Sequence, residues 1–334
     1  MQELLAPALA IVFGFVALVW GADRFVEGSA ATARNLGVSP LIIGLTVVAF
    51  GTSAPEMLVS GFAAWAGKGG LAIGNAIGSN ITNVALVLGV SAIITPLTVH
   101  SKILRRELPL LFLTMLVALG LLSDGHLGRA DGAILLAGLI GLVGWMLAQG
   151  LRERRTSGEK DALEEEFAEE IPSGMPPAKA GFWLLLGLLV LLGGARLVVY
   201  GASEIAHHFG VSDLVIGLTV VALGTSLPEL AASVVSALKN EHDIAIGNVI
   251  GSNMFNLLGV LALPGLISPV DVGPAVLSRD VPVMICVTAL LWLMARGFEV
   301  ESKVSRVSGI VLVVVYVGYI GWLFYTMAGA PGAG

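Results

Sequence analysis

Two glutamates, Glu56 and Glu229, stand inside long apolar runs. Each closes the same short pattern, G-T-S-A-P-E at 51–56 and G-T-S-L-P-E at 224–229. An ionised carboxylate near the middle of a bilayer is costly unless it is paired or hydrated. No Lys or Arg lies in the central part of either run. A fixed ion pair therefore has no obvious partner, and the remaining counter-charge is a cation that comes and goes. The prolines sharpen this. Pro55 cannot donate to the carbonyl of Gly51, and its ring crowds that carbonyl. The backbone through Gly51, Thr52 and Ser53 is expected to open and expose oxygens, which membrane depth tolerates only beside a cavity or within protein. Thr52 and Glu56 are four apart and share a face wherever the helix persists, as do Thr225 and Glu229. With Ser53 and Ser226 they form an all-oxygen set, suited to hard cations such as Ca2+ and Na+.

A second pattern also occurs twice, G-N-A-I-G-S-N-I-T-N at 74–83 and G-N-V-I-G-S-N-M-F-N at 247–256. Gly74 with Gly78, and Gly247 with Gly251, make small faces that let helices approach closely. Asn75, Ser79 and Asn83 fall on one stripe, as do Asn248, Ser252 and Asn256. Asn75 and Asn248 read as interhelical hydrogen-bonding residues. Ser79, Asn83, Ser252 and Asn256 lie deeper and read as cation ligands. Two glutamates supply two negative charges, enough for one Ca2+ or two Na+ ions. One ligand set that holds either ion but not both is the physical basis of antiport.

The elements that must position these residues are membrane helices. The chain has 334 residues, 56% hydrophobic and 13% charged, with mean hydropathy +0.91. A soluble domain carries about a quarter charged residues. The charges sit in islands between apolar runs of helix-spanning length, whereas a transmembrane barrel would show short alternating segments. The expected fold is an all-α polytopic membrane protein with ten transmembrane helices, near 5–33, 40–64, 71–95, 104–122, 131–150, 181–205, 212–238, 244–268, 279–296 and 306–327. The net charge of −6 argues against nucleic acid as a partner; the lipid bilayer is the partner, and no protein partner is evident. The single cysteine, Cys286, lies in an apolar run and reads as a buried structural thiol. His100, His126, His207, His208 and His242 fall near span ends without metal-ligand spacing. No nucleophile–base pair or phosphate-binding loop appears, so the chain reads as no enzyme, and no cofactor is expected.

The twinned motifs belong to a larger repeat. Residues 37–57 match 210–230 at 16 of 21 positions, and 74–83 match 247–256 at 7 of 10, both at an offset of 173. A five-span unit has therefore been duplicated: a first repeat over 1–150, an acidic linker over 151–180 and a second repeat over 181–334. Five is odd, so the second copy enters from the opposite side, and the two five-helix repeats are inverted about an axis in the membrane plane. Most Lys and Arg fall in the islands after odd-numbered spans. The positive-inside rule then makes the linker cytoplasmic and puts both termini outside. The linker's acidic middle reads as a solvated connector, since it lacks the spacing of an EF-hand.

The paired G-T-S-x-P-E and G-N-x-x-G-S-N motifs in inverted repeats resemble the sodium/calcium exchanger family of the cation/Ca2+ antiporter superfamily, over essentially the whole chain apart from the linker. The resemblance implies a ten-helix fold in which spans 2, 3, 7 and 8 form a central diamond and spans 1 and 6 slide across it. It implies a cell (plasma) membrane protein that transports Ca2+ and Na+. It implies shared carboxylates at Glu56 and Glu229. Hydroxyl and carbonyl oxygens would come from Thr52, Ser53, Thr225 and Ser226, and backbone carbonyls from Ala49 and Ala222. Ser79, Asn83 and Ser252 would complete the shell. The position of Asn256 is often an aspartate in exchangers of this type, so this site has two acids rather than three. Coupling of Ca2+ to H+, or to Na+ with K+, stays open beside Na+/Ca2+ exchange, as does a passive cation channel. The proton-coupled relatives usually carry an acid after G-N-A, which this sequence lacks.

Overall fold

A computed structural model describes residues 2–99, 103–156, 175–209, 222–296 and 302–328. The helices in chain order are α1 (Gln2–Leu36), α2 (Pro40–Thr52), α3 (Ala54–Trp65), α4 (Gly69–Ile94), α5 (Leu108–Leu122) and α6 (Arg129–Thr156). They continue as α7 (Pro177–His208), α8 (Ala222–Thr225), α9 (Leu227–Leu238), α10 (His242–Ile267), α11 (Val276–Arg296) and α12 (Arg306–Ala328). Seven of them are long and apolar enough to cross a membrane, and an eighth results if α2 and α3 form one span bent by 44°.

Ten spans were expected, and two of them fall outside this set. The apolar part of the fourth, α5, is only 15 residues long, because Arg105, Arg106 and Glu107 occupy the turn before it. Of the seventh, residues 210–221 lie outside the described residues, as do 157–174 of the acidic linker. The fold is also not purely helical. Four two-residue strands, β1 (Leu97–Thr98), β2 (His126–Leu127), β3 (Val270–Asp271) and β4 (Lys303–Val304), pair antiparallel. β1 pairs with β4, Leu97 opposite Val304, and β2 pairs with β3, Leu127 opposite Val270. Each pair ties an early segment to a late one, which local sequence patterning does not reveal.

α1 and α7 pack against each other over most of their length, and glycine makes this possible. Gly14, Gly21 and Gly28 recur every seventh residue on α1, and Gly187, Gly194 and Gly201 do so on α7 (187 − 14 = 173). A Cβ on Gly21 would lie 2.5 Å from the backbone nitrogen of Leu191, and one on Gly194 would lie 2.6 Å from that of Leu18. The helices run antiparallel with their backbones nearly touching. At about 1.5 Å per residue, the 35 residues of α1 exceed the roughly 30 Å hydrocarbon layer.

Cys286 corrects an expectation: it is exposed, not buried. Val281, Met284, Val287, Thr288 and Leu291 take the inner face of α11 at helical spacing, which leaves Cys286 on its outer face.

The core is carried by α4 and α10, the helices bearing the asparagine motifs. In their apolar windows 72% and 83% of residues are buried, against 17–28% for the other spans. Gly247 and Gly251 let α2 lie directly on α10: a Cβ on Gly251 would come within 2.6 Å of the Leu45 carbonyl. Gly74 and Gly78 meet no described residue at that range. At the repeat offset α2 matches 213–225, of which 213–221 lie outside the described residues.

Candidate cation site

Both glutamates sit immediately after a helix break. Ser53 leaves the α region (φ −80°, ψ 3°) between α2 and α3, and Ser226 does the same (φ −89°, ψ 2°) between α8 and α9. The opening is narrower than the sequence suggests. Gly51 and Thr52 remain helical, and the Ser53 amide still donates to Ala49 O at 3.0 Å. Proline placed second in the new helix explains this, since its missing N–H would have no partner there anyway.

The two motifs then cross over. Ser53 Oγ donates to Glu229 Oε1 at 3.2 Å. Thr52 Oγ1 donates to Asn248 Oδ1 at 3.0 Å and lies 3.5 Å from Ser252 Oγ. The hydroxyls of the first motif thus reach into the second half, Ser53 to the carboxylate of Glu229 and Thr52 to Asn248. Thr52 shares a helix face with Glu56 by spacing, yet it turns to the opposite half.

Asn75 and Asn248 behave as interhelical hydrogen-bonding residues, and identically. Asn75 Nδ2 donates to Glu56 O (3.1 Å) and Ser60 Oγ (2.9 Å). Asn248 Nδ2 donates to Glu229 O (3.2 Å) and Ser233 Oγ (2.9 Å). These bonds fix the backbone of each glutamate to the neighbouring core helix. The motifs do not include Ser60 and Ser233, although they too are 173 apart (233 − 60 = 173). Spacing gives no role to Asn80 and Asn253, whose Nδ2 groups donate to Ala76 O and Asn80 O at 2.8 and 3.4 Å.

Asn83 and Asn256 each open a π-helical turn, Asn83–Val87 and Asn256–Val260. Such turns recur at functional sites because the wider ring re-aims a side chain. The Asn256 turn packs against α3, which carries Glu56, and the Asn83 turn packs against α9, which carries Glu229. Ser79 lies one turn before Asn83 on α4. Of Ala222 only the backbone is described, as the first residue of α8; Ala49 is fully buried beneath Thr52 and Ser53.

What distinguishes this cluster is unmet polarity. Glu56, Glu229, Asn83 and Asn256 are all fully buried. Eight buried atoms among them and Ser226 have no hydrogen-bond partner among the described residues: both oxygens of Glu56, Oε2 of Glu229, Oγ of Ser226, and both amide atoms of Asn83 and of Asn256. An unsatisfied buried polar group costs about 1–3 kcal/mol, more if charged, so a fold that gathers eight of them needs something to satisfy them. Most are oxygens, two of the groups are acids, and among the described residues no basic side chain pairs with them. That chemistry fits a hard cation.

The comparisons with known proteins point the same way. The family model described as sodium/calcium exchanger protein matches residues 6–148 and 179–325. The putative antiporter CaxA of Alkalimonas amylolytica is 46% identical over 306 residues, 92% of this chain and 95% of that one. The sodium/calcium exchanger MaX1 of Methanosarcina acetivorans is 32% identical over 325 residues, covering 88% and 92%. A solved structure of the sodium-calcium exchanger NCX_Mj, soaked with Na+ and Sr2+, superposes with a TM-score of 0.81 at 35% identity, covering 95% of this chain and 98% of that one. Broken helices, crossed hydroxyl–carboxylate contacts and matches over both halves lead to one assignment: the chain belongs to the sodium/calcium exchanger family.

Proposed function

We propose that this protein is a secondary antiporter that exchanges Na+ for Ca2+ by alternating access at one site between the two Pro-Glu breaks. The observation that carries this is the set of eight buried atoms around Glu56 and Glu229 that have no hydrogen-bond partner among the described residues. The carboxylates supply the charge for one Ca2+ or two Na+. Thr52, Ser53, Thr225, Ser226, Ser79, Asn83, Ser252 and Asn256, with the carbonyls of Ala49 and Ala222, supply neutral oxygens. Without cargo the two acids repel across the site; with cargo they share it. Occupancy is thereby coupled to the approach of the two halves. The names of the relatives support the same reading, an antiporter in one case and sodium/calcium exchangers in the others.

In this reading 1–150 and 181–334 are inverted five-helix repeats joined by a cytoplasmic linker at 151–180. Ten spans cross the cell membrane, with both termini outside. The glycine-mediated pair of α1 and α7 is the element that slides, because backbones in contact move as one body. No catalysis and no resident cofactor take part; Ca2+ and Na+ are cargo.

The test is Ca2+ flux in proteoliposomes of purified protein. An imposed Na+ gradient is expected to drive Ca2+ uphill, and an imposed pH gradient of equal size is not. Flux driven by the pH gradient alone would replace Na+ by H+ as the coupling ion. Currents independent of any counter-ion would make the protein a channel.

A further inference from the structure

The two asparagine turns are twins in sequence but not in what stands behind them. Behind the Asn256 turn lies an apolar cleft of about 280 Å³, lined by Leu110, Leu113, Gly138, Leu142, Trp145 and Leu258 among others. Leu258 belongs to the Asn256–Val260 turn itself. Leu113 and Trp145 are partly exposed, so the cleft opens on the membrane-facing surface between α5 and α6.

The second copy shows why the cleft exists. Gly132 of α6 packs on Ala262 and Leu266 as Gly309 of α12 packs on Gly89 and Ile93, so α6 and α12 correspond with these glycines in register. Six residues beyond them, Gly138 stands where α12 has Val315. Ten residues beyond, Leu142 stands where α12 has Tyr319. The Tyr319 ring is held in place by its hydroxyl, which donates to Asp280 Oδ1 at 2.9 Å. Behind the Asn83 turn, the place of Leu258 is taken by fully buried Ala85. The Asn83 turn packs against a helix that carries Val315 and the anchored Tyr319, and the Asn256 turn against one on which Gly138 and Leu142 line an open cleft.

We propose that this makes Asn256 the yielding ligand of the site and Asn83 the fixed one, and that Leu142 and Gly138 thereby set which cation sizes the site accepts. Close-packed interior transmits strain and scarcely compresses. A turn packed against anchored side chains therefore holds its asparagine at one distance. A turn backed by a cleft open to fluid hydrocarbon can retreat by moving Leu258 outward, carrying Asn256 with it. A cation larger than Ca2+ is then received by displacing one side of the shell only. Leu142 and Gly138 are positioning residues here: neither touches cargo. The inference rests on the exchange reading proposed above.

The test fills the cleft with the residues of the other copy, Gly138→Val and Leu142→Tyr. A Cβ on Gly138 would stand 3.4 Å from Leu258 Cδ2, an ordinary contact. Uptake of Ca2+ and of the larger Ba2+ is measured in proteoliposomes, and KM is compared between the ions. Filling is expected to raise the Ba2+/Ca2+ KM ratio by about threefold or more while the maximal Ca2+ rate stays within about twofold. Leu142→Ala, which widens the cleft, is expected to keep the ratio at or below that of the unaltered protein. An unchanged ratio in a folded Leu142→Tyr protein would overturn the inference. If that variant does not fold, Leu142→Phe decides by the same criterion. Failure of the unaltered protein to take up either ion would overturn the exchange reading itself, a different outcome from an unmoved ratio.

Discussion

Replacing Glu56 by glutamine isolates the charge arithmetic of the site. Among the described residues both carboxylate oxygens of Glu56 are buried and without a hydrogen-bond partner, so Glu56→Gln removes the charge without removing a hydrogen bond found among them. Its thermal midpoint is expected at or above that of the unaltered protein. Cargo binding should suffer instead. With one carboxylate left, an occluded Ca2+ carries one uncompensated positive charge at membrane depth. A charged side chain at the centre of a membrane helix costs about 2.5–3.5 kcal/mol on the lower scales. At about 1.4 kcal/mol per factor of ten, apparent Ca2+ affinity falls by roughly two orders of magnitude. The assay is the Ca2+ dependence of Na+-driven flux, with a thermal melt of the same sample. A folded Glu56→Gln protein whose KM for Ca2+ lies within about threefold of the original would refute the reasoning, since the charge would then not be neutralising cargo.

Asn256→Asp adds a third acid beside the other two, and should raise the number of Na+ ions needed per Ca2+ or the Na+ affinity; an unchanged Na+ dependence would assign Asn256 a packing role. Gly21→Ala sets a Cβ 2.5 Å from the Leu191 backbone, so α1 and α7 must part. Overpacking of this kind costs about 1–3 kcal/mol, visible as a lowered melting midpoint, while Gly141→Ala, with nothing within 4 Å, should be neutral. Glu241, just before α10, has its carboxyl held above the usual carboxylate range by burial, against the opposing pull of Arg34. A folded-state value above the unfolded one means that its contribution is full below the ordinary pKa and is lost as pH rises through the raised value. Glu241→Gln should therefore melt higher than the original at pH 8, with the gain vanishing near pH 4; a gain that grows toward low pH would contradict this.

Much of the candidate site can be picked out in the sequence because duplication supplies its own control. A lone proline in a membrane run is an ordinary kink, but proline, hydroxyls and an acid appearing twice at one offset point to a shared cavity. Asn75 and Asn248 could be assigned for the same reason. Three features could not be read. The crossing of Thr52 and Ser53 to Glu229 depends on how two distant segments meet, which spacing within one helix does not encode. The π turns at Asn83 and Asn256 leave no distinct mark, since N-V-A-L-V and N-L-L-G-V share no residue pattern that separates a π turn from an ordinary helical one. Cys286 looked buried because an apolar run in a membrane protein is as apropos for facing lipid as for facing the core, and only the positions of Met284, Val287 and Leu291 decide which. The α1–α7 glycine ladder was present at strict seven-residue spacing, but 43 glycines among 334 residues hide it until the contact is seen.

The central claim is that both halves hold one cation together. Anomalous diffraction from crystals soaked in Sr2+ tests it most directly. The account predicts a divalent peak between the glutamates, within about 2.3–2.6 Å of oxygens from both Glu56 and Glu229, and its loss in Glu56→Gln crystals. A peak bound by one glutamate alone, or one that survives that substitution in place, would contradict it.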